Sequence, residues 1–386
     1  MDFGFSEEQD MLRQGVREFL AGECPMTYVR RMMDDERGFT DEQWTKMAEL
    51  GWTGLIIPEE YGGAGLSMVD MVVVLEEMGQ VVFPGPFFAS AILGGVAIDL
   101  GGSADQKKRW LPQLAAGTAR ATLAHVEESG RWDAAGVQMR AAAAGGGFAL
   151  SGTKLFVHDA HNADVLVVAA RTGGAGADGV TLFLVEAGAP GVRTRVLKTL
   201  DQTRKLCEVV FEDVRVAAAA ALGAVGQGWG LLDRVVDRAK VALSAELCGI
   251  AQQVLDLSVQ YAKVREQFGR AIGTFQAIQH KCANMLVQVE SAKSATYYAA
   301  WAVANDAPEA HLAACMAKAY TSEACRQVAA DGIQIHGGIG FTWEHDMHLF
   351  FKRAKSSEIA FGDATHNREL VAQVLLDQPE KNFSSL

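Results

Sequence analysis

The hydrophobic period of this chain changes twice along its length, and that change limits the possible folds more than any other feature. In residues 1–120 apolar side chains recur every three to four positions, the spacing that gives a helix one buried stripe. Met11, Leu12, Val16, Phe19 and Leu20 form such a stripe, and Ser6 with Gln9 predicts a capping box in front of it. Glycine-rich turns at 51–55 and 58–65 separate these helices. In residues 121–225 the pattern becomes that of strands, at 148–157, 165–170, 180–185 and 207–216. No helical stretch lies between them, so they predict an antiparallel β-barrel or sandwich. From Gly226 the helical period returns. One long amphipathic stretch runs to about Val264. A second begins near Thr274 and carries Phe275, Ile278, Cys282, Met285, Val289, Ala292 and Thr296 on one face, and a third follows Pro308. Short linkers between long helices predict antiparallel neighbours in a bundle. The expected architecture is α+β: an N-terminal helical domain (1–120), a central β domain (121–225) and a C-terminal helical bundle (226–386).

Composition narrows the function classes. With 386 residues, 49% hydrophobic and 21% charged, the chain can bury a large core and is not a disordered protein. No apolar run approaches the roughly 20 residues that span a bilayer. The first residues show no basic region followed by an apolar one, so no signal peptide is expected. Six scattered cysteines without a Cys-x-x-Cys predict reduced thiols and a cytoplasmic protein. A net charge of −12 argues against nucleic acid or an anionic membrane as the main partner, while leaving room for a local basic site.

Several short motifs have competing explanations. Gly174-Ala175-Gly176-Ala177-Asp178-Gly179 matches G-x-G-x-x-G, but it lies between two predicted strands. The dinucleotide-binding turn needs a helix N-terminus aimed at the pyrophosphate, so a flexible hairpin is expected here. Glu344-His345-Asp346-Met347-His348 has two histidines three apart but no third ligand at convincing spacing, and a structural role is expected; no metal site is predicted. The chain has neither a Gly-x-Ser-x-Gly elbow nor a phosphate-binding P-loop.

Two segments carry the chemistry. In Arg265-Glu266-Gln267-Phe268-Gly269-Arg270 an arginine can grip a phosphate in two places, and a phenylalanine can pack against a flat ring. Gly269 is expected to stop the preceding helix. Gln276-Ala277-Ile278-Gln279 follows, its first residue 11 positions after Arg265. In Gln334-Ile335-His336-Gly337-Gly338-Ile339-Gly340 adjacent glycines allow backbone N–H groups to approach an anion. Together with Pro58-Glu59-Glu60-Tyr61-Gly62-Gly63, these segments resemble the acyl-CoA dehydrogenase family over essentially the whole chain.

The resemblance implies FAD as cofactor, an acyl-CoA thioester as substrate, and a tetramer. It further implies abstraction of the acyl α-proton, hydride transfer from the β-carbon, and an electron-transfer flavoprotein as acceptor. By position it assigns the grip on the ADP part of a neighbouring subunit's FAD to Arg265, Gln267, Phe268, Gln276, Ile278, Gln334, Gly337 and Gly338. The α-proton is weakly acidic, so the reaction requires a desolvated carboxylate with a raised pKa. The family places that glutamate in a Tyr-Glu-Gly-Thr segment, or on the long helix 26 residues before the arginine. Here those positions hold Gly362 and Ala239. Lys240 falls where the family usually has an arginine; it either keeps a positive charge near the substrate or is a plain helix-surface lysine.

The elements expected to face the flavin also depart from the pattern. The Thr-Glu-Pro-Gly loop is replaced by Ala124-His125-Val126-Glu127-Glu128-Ser129-Gly130, and Trp-x-Thr by Phe156-Val157-His158. Three readings stay open. The chain is one subunit of an α2β2 acyl-CoA dehydrogenase, a type that acts on bulky thioesters such as steroid side-chain intermediates, and a homologous chain supplies the base. Alternatively it is a self-sufficient homotetramer using Asp363 or Asp237. A third reading is a flavin-dependent monooxygenase on the same fold, with His158 or His366 near the flavin.

Overall fold

The computed structural model describes residues 4–376, which pack as two compact units. One comprises residues up to 31, 68–83 and 240 onward; the other comprises 32–67 and 84–239. The helices are α1 (Glu7–Glu23), α2 (Met26–Asp34), α3 (Asp41–Glu49), α4 (Met68–Gln80), α5 (Val96–Gly101), α6 (Ala104–Ala115), α7 (Trp229–Val264), α8 (Gln276–Ala304), α9 (Ala310–His336), α10 (Met347–Ile359) and α11 (Ala364–Leu376). None is long and apolar enough to cross a membrane.

The second unit holds an eight-stranded sheet: β1 (Ala121–Ala124), β2 (Arg140–Ala144), β3 (Gly147–His158), β4 (Val165–Arg171), β5 (Val180–Glu186), β6 (Val192–Val196), β7 (Leu206–Ala217) and β8 (Ala221–Leu222). The main path runs β6-β7-β3-β2-β4-β5-β8, with β1 added alongside β4. The expected sandwich is present, with one adjustment to its strand directions. Most pairs are antiparallel, but β4 has parallel partners: β1, from Ala121↔Val165 to Ala124↔Val168, and β2, at Arg140↔Arg171. The short strands β1, β2, β6 and β8 have too few residues to show an alternating pattern, so sequence periodicity misses them. Every residue of β4 from Val165 to Ala170 is buried, whereas Leu206–Phe211 of β7 alternates between partly and fully buried. Leu150, Leu166, Val168, Phe183, Val209, Phe211 and Val214 form the centre of this core. The 174–179 segment is a hairpin loop between β4 and β5, with Gly174, Gly176 and Gly179 all at positive φ.

The first unit is helical. Ser6 and Gln9 form the expected capping box at α1, whose Val16 and Leu20 are buried, although Met11 is 74% exposed. Helix α8 buries Met285, Val289, Ala292 and Thr296 along one stripe, as the 3.6 period predicts. Pro308 lies just before α9 rather than in its first turn. A polar tie runs through this unit: Arg353 of α10 is fully buried, donates to Glu246 of α7, and reaches Phe83 O at 3.3 Å and Val82 O at 3.4 Å. Such a group is strongly destabilising to break, because removing one partner leaves an uncompensated buried charge.

Candidate functional site

The first candidate site lies at the ends of α7 and α9. Helix α7 stops at Val264, five residues before the glycine expected to end it. The chain then forms a tight hairpin of β9 (Glu266–Gln267) and β10 (Arg270–Ala271), in register Arg270↔Gln267 and Ala271↔Glu266. Its two turn residues, Phe268 at φ 54° and Gly269 at φ 75°, are both left-handed, which matches the twist of a two-residue hairpin. The Arg265 N–H donates to Tyr261 O and its carbonyl accepts from Ile272 N–H, both at 2.8 Å, so the backbone is fixed while the side chain stays exposed. Phe268 is 92% exposed and meets Phe275 only edge-on, at 6.1 Å. Arg270 lies over the Phe275 ring at 4.2 Å. Gln276 is exposed at the start of α8, and Ile278 is half-buried.

At the end of α9, Gly337 adopts φ 66°, ψ −145°, a conformation reserved for glycine. Its N–H donates to Ile333 O and Gln334 O. This amide is therefore used inside the helix cap and is not free for an anion, contrary to the expectation from the paired glycines. Gly338 and Gly269 have nothing within 4 Å of where a Cβ would stand, which leaves open space beside the backbone. The two segments are joined by a residue that sequence reasoning missed. His336 stacks on Tyr261 of α7, with ring centroids 4.4 Å apart. Its Nδ1 bonds to Gly332 O at 2.7 Å, and burial holds its pKa below the usual histidine value. The only sequence signal for this role is the aromatic ring one position before the glycine pair.

The 342–346 loop next to this end is pinned by Arg30, which bonds to Asp346 at 2.8 Å and to His345 O at 3.2 Å. His345 Nδ1 accepts the Met347 N–H at 3.0 Å, a capping role at the start of α10. Burial, reinforced by the nearby Lys352 and Arg30, pushes His348 down to about 4, so it stays neutral.

The second candidate site is the turn after α10. Phe361 (φ 57°) and Gly362 (φ 87°) are buried, and Gly362 carries no proton-accepting side chain. The Gly362 carbonyl accepts from Lys318 Nζ at 3.1 Å and from Asn367 Nδ2 at 2.9 Å. Asp363 is exposed, and its carboxylate accepts the His366 N–H at 2.8 Å, capping α11. That is not the dry setting a proton-abstracting carboxylate requires. Lys318, fully buried on α9, also donates to Glu358 O and Ser322 Oγ, both at 2.9 Å. Burial and the nearby Lys240 bring Lys318 down to about 7. Lys240 is itself buried and donates to Cys315 Sγ at 3.2 Å, so it is not a helix-surface lysine. Ala239 is fully buried and Asp237 is 6% exposed, both on α7.

In the β-sheet unit, Phe156 sits at φ 54°, within the register shift between Lys154 and Val157, and is 51% exposed. Beside it in sequence, buried Lys154 donates to Glu127 at 2.6 Å and to His125 O at 3.3 Å. Glu127 also accepts the N–H groups of Gln138 and Met139 at 3.0 Å, so it organises the 125–139 segment. Burial lowers Lys154 to about 8, with Glu127 opposing, and burial with Lys154 nearby lowers His125 to about 3. Neutral His125 is a polar group without charge at any ordinary pH. The His158 carbonyl accepts from Thr122 Oγ1 at 2.7 Å, and its ring lies 5.4 Å from Phe88.

An exposed guanidinium, an outward phenyl ring and unobstructed backbone make a fitting receptor for a nucleotide diphosphate. The 361–363 turn offers hydrogen-bond donors and cations but no desolvated carboxylate. Comparison with known proteins gives matches along nearly the whole chain. Residues 6–118, 122–214 and 226–376 match the models of the acyl-CoA dehydrogenase N-terminal, middle and C-terminal domains. A probable acyl-CoA dehydrogenase, YngJ, of Bacillus subtilis is 33% identical, covering 97% of this chain and all of its own length. The structure resembles butyryl-CoA dehydrogenase of Megasphaera elsdenii, with a TM-score of 0.91, 28% identity and coverage of 97% of this chain and 100% of that one. It also resembles a chain of the ChsE4–ChsE5 complex of Mycobacterium tuberculosis, with a TM-score of 0.89, 28% identity and coverage of 98% and 100%.

Proposed function

The chain belongs to the acyl-CoA dehydrogenase family, FAD-dependent oxidoreductases of CH–CH bonds, and from that premise we propose that it is the nucleotide-gripping subunit of a heteromeric enzyme. In this reading a homologous chain supplies the carboxylate that removes the α-proton of an acyl-CoA thioester. The observation that carries it is Gly362: the family's base position holds a glycine whose carbonyl is bonded to Lys318 and Asn367. The other base position, Ala239, is apolar and fully buried. The resemblance to a chain of a two-component complex supports the same reading.

The residues at the hairpin fit the cofactor, because the space beside Gly269 and Gly338 is clear and the Arg265 and Phe268 side chains are exposed. Arg265 would hold a phosphate, Phe268 would cover a ring face, and Gln267, Gln276 and Gln334 would offer amide groups, with Ile278 packing beneath. Gly337 would shape the loop and Gly338 would let backbone approach. FAD when bound supplies the acceptor for the hydride leaving the acyl β-carbon. The proposed setting is the cytoplasm, with an electron-transfer flavoprotein as the next acceptor.

The test is to purify the chain alone and together with a base-carrying homologous chain from the same genome, then measure FAD per chain and acyl-CoA-dependent flavin bleaching. Bleaching is expected only in the mixture. A solitary chain that forms an FAD-loaded tetramer and oxidises acyl-CoA would sink the proposal. One observation favours the second reading, a homotetramer with a non-standard base: Asp237 is buried two residues before Ala239. In that case D237N would abolish bleaching by the solitary chain.

A further inference from the structure

A buried lysine and a buried cysteine meet between α7 and α9. Lys240 is 2% exposed, and Cys315, 75 positions further along the chain, is fully buried. Lys240 Nζ donates to Cys315 Sγ at 3.2 Å. His311, one turn earlier on α9, brings its Nε2 to 3.8 Å from the same sulfur. His311 is only partly buried, so the sulfur lies one side chain from solvent. A cation beside a sulfur favours the thiolate, the form that attacks an oxidant, and the imidazole is placed to take the thiol proton. We propose that Cys315 and Lys240 form a modification site for hydrogen peroxide, which joins them through an S–N bond and so ties α7 to α9.

The chemistry closes on these two residues and the oxidant. The Cys315 sulfur attacks peroxide: an S–O bond forms, the O–O bond breaks, and the leaving hydroxide takes the thiol proton to become water. The product is a sulfenic acid, the reversible first step of cysteine oxidation, and it condenses with a nearby nitrogen. Lys240, having given its ammonium proton to solvent, supplies that nitrogen. Its lone pair attacks the sulfur, the S–N bond forms, and the S–O bond breaks as hydroxide leaves with one amine proton as water. One thiol, one amine and one peroxide thus give a sulfenamide and two waters. Sulfur loses two electrons and the peroxide oxygens gain them. The nitrogen already touches the sulfur, so the condensation is intramolecular and oriented. The interior also gains from the change. Burial first, and then the nearby Lys240 charge, lower Lys318 to about 7. Like charges in one dry region repel, and a sulfenamide nitrogen carries none. Cys248 shows the contrast: it is equally buried, but its sulfur meets Thr296 Oγ1 at 3.5 Å, and burial pushes its thiol up to about 12.

The experiment treats the purified full chain with a small excess of hydrogen peroxide, blocks the remaining thiols with iodoacetamide, and maps tryptic peptides by mass without reductant. Trypsin does not cut after a modified lysine, so the expected product is residues 239–263 joined to residues 294–318. Apart from alkylation of Cys248, the joined pair is lighter than its two peptides by two hydrogen atoms, and dithiothreitol parts it. K240R keeps the charge but is a poor nucleophile. There the joined pair is expected to vanish, and dimedone to capture the sulfenic acid on Cys315. Cys315 left as a thiol, Cys315 carried to the sulfinic acid without joining, or Cys248 oxidised ahead of Cys315 overturns the proposal. A joined pair that persists in K240R, or that dithiothreitol does not part, overturns it as well. The wild-type map decides the matter even if K240R does not fold.

Discussion

Two Phe–Gly pairs in this protein share one backbone conformation and differ in everything around it. Phe268-Gly269 has φ 54° and 75°; Phe361-Gly362 has φ 57° and 87°. A left-handed phenylalanine costs on the order of 1–3 kcal/mol in either place. At Phe361 the fold itself accounts for that cost. The ring is 2% exposed, and its burial contributes about 1.5–3 kcal/mol, with further bonds to Gly362 O from Lys318 and Asn367. At Phe268 the ring is 92% exposed, and the pairing of β9 with β10 across the turn, rather than burial of the ring, offsets the strain. Internal packing marks Phe361 as structure, whereas the exposed ring of Phe268 is the one that the proposed nucleotide grip would use. The same dipeptide thus reads as a lock in one region and as a receptor in the other.

The sharpest way to break this comparison is at Asn367. N367A removes the buried side-chain amide that donates to the carbonyls of Gly362 and Asp363, leaving them Lys318 Nζ and the residue-367 backbone N–H. A loss of about 2–4 kcal/mol in denaturant unfolding is expected, with ADP affinity unchanged. An equal loss of ADP affinity would show that the two regions are not separate.

Next comes pH. Lys318 has a folded-state pKa of about 7 against an ordinary value of 10.5. Its burial penalty is therefore fully present below about pH 7 and is relieved as pH rises toward 10.5, because the unfolded chain holds the proton more tightly across that window. Stability of the wild type relative to K318M is expected to rise between those values by an amount on the order of a few kcal/mol, measured by chemical denaturation at each pH. A difference that stays flat would remove Lys318 as a buried cation.

At the hairpin the expected pattern reverses. R265A should weaken ADP binding by roughly 10- to 100-fold in calorimetry, the scale of one lost charged hydrogen bond, without moving the melting temperature. The smallest effect is the most diagnostic. F268G relieves a left-handed phenylalanine and is expected to stabilise the protein by about 0.5–1 kcal/mol while weakening ADP binding several-fold. If it destabilises the protein instead, Phe268 is a structural residue like Phe361.

Much of the architecture was legible in the residues. The change of hydrophobic period located the longer strands β3, β4, β5 and β7 and the helices α7 and α8, because burial on one face leaves a repeat that needs no partner to be seen. The parallel addition of β1 to β4 was not legible, since four residues hold no period and their pairing partner lies 44 positions away. The hairpin at 266–271 was seen as a helix end, because Gly269 signals a stop equally well in either context. The Tyr261–His336 stack joins residues 75 positions apart and has no local signature.

By itself, the sequence determined the family, the order of helical and strand blocks, and the absence of a glutamate at positions 239 and 362. These are matters of residue identity and local spacing, which a chain carries whether folded or not. Only the tertiary structure decided that Lys240 is buried, that the Gly337 amide is already used, and that Lys318 and Asn367 converge on Gly362 O. Each of these depends on distant segments meeting in a dry interior, where an unpaired polar group is costly and partners are chosen by position rather than by sequence.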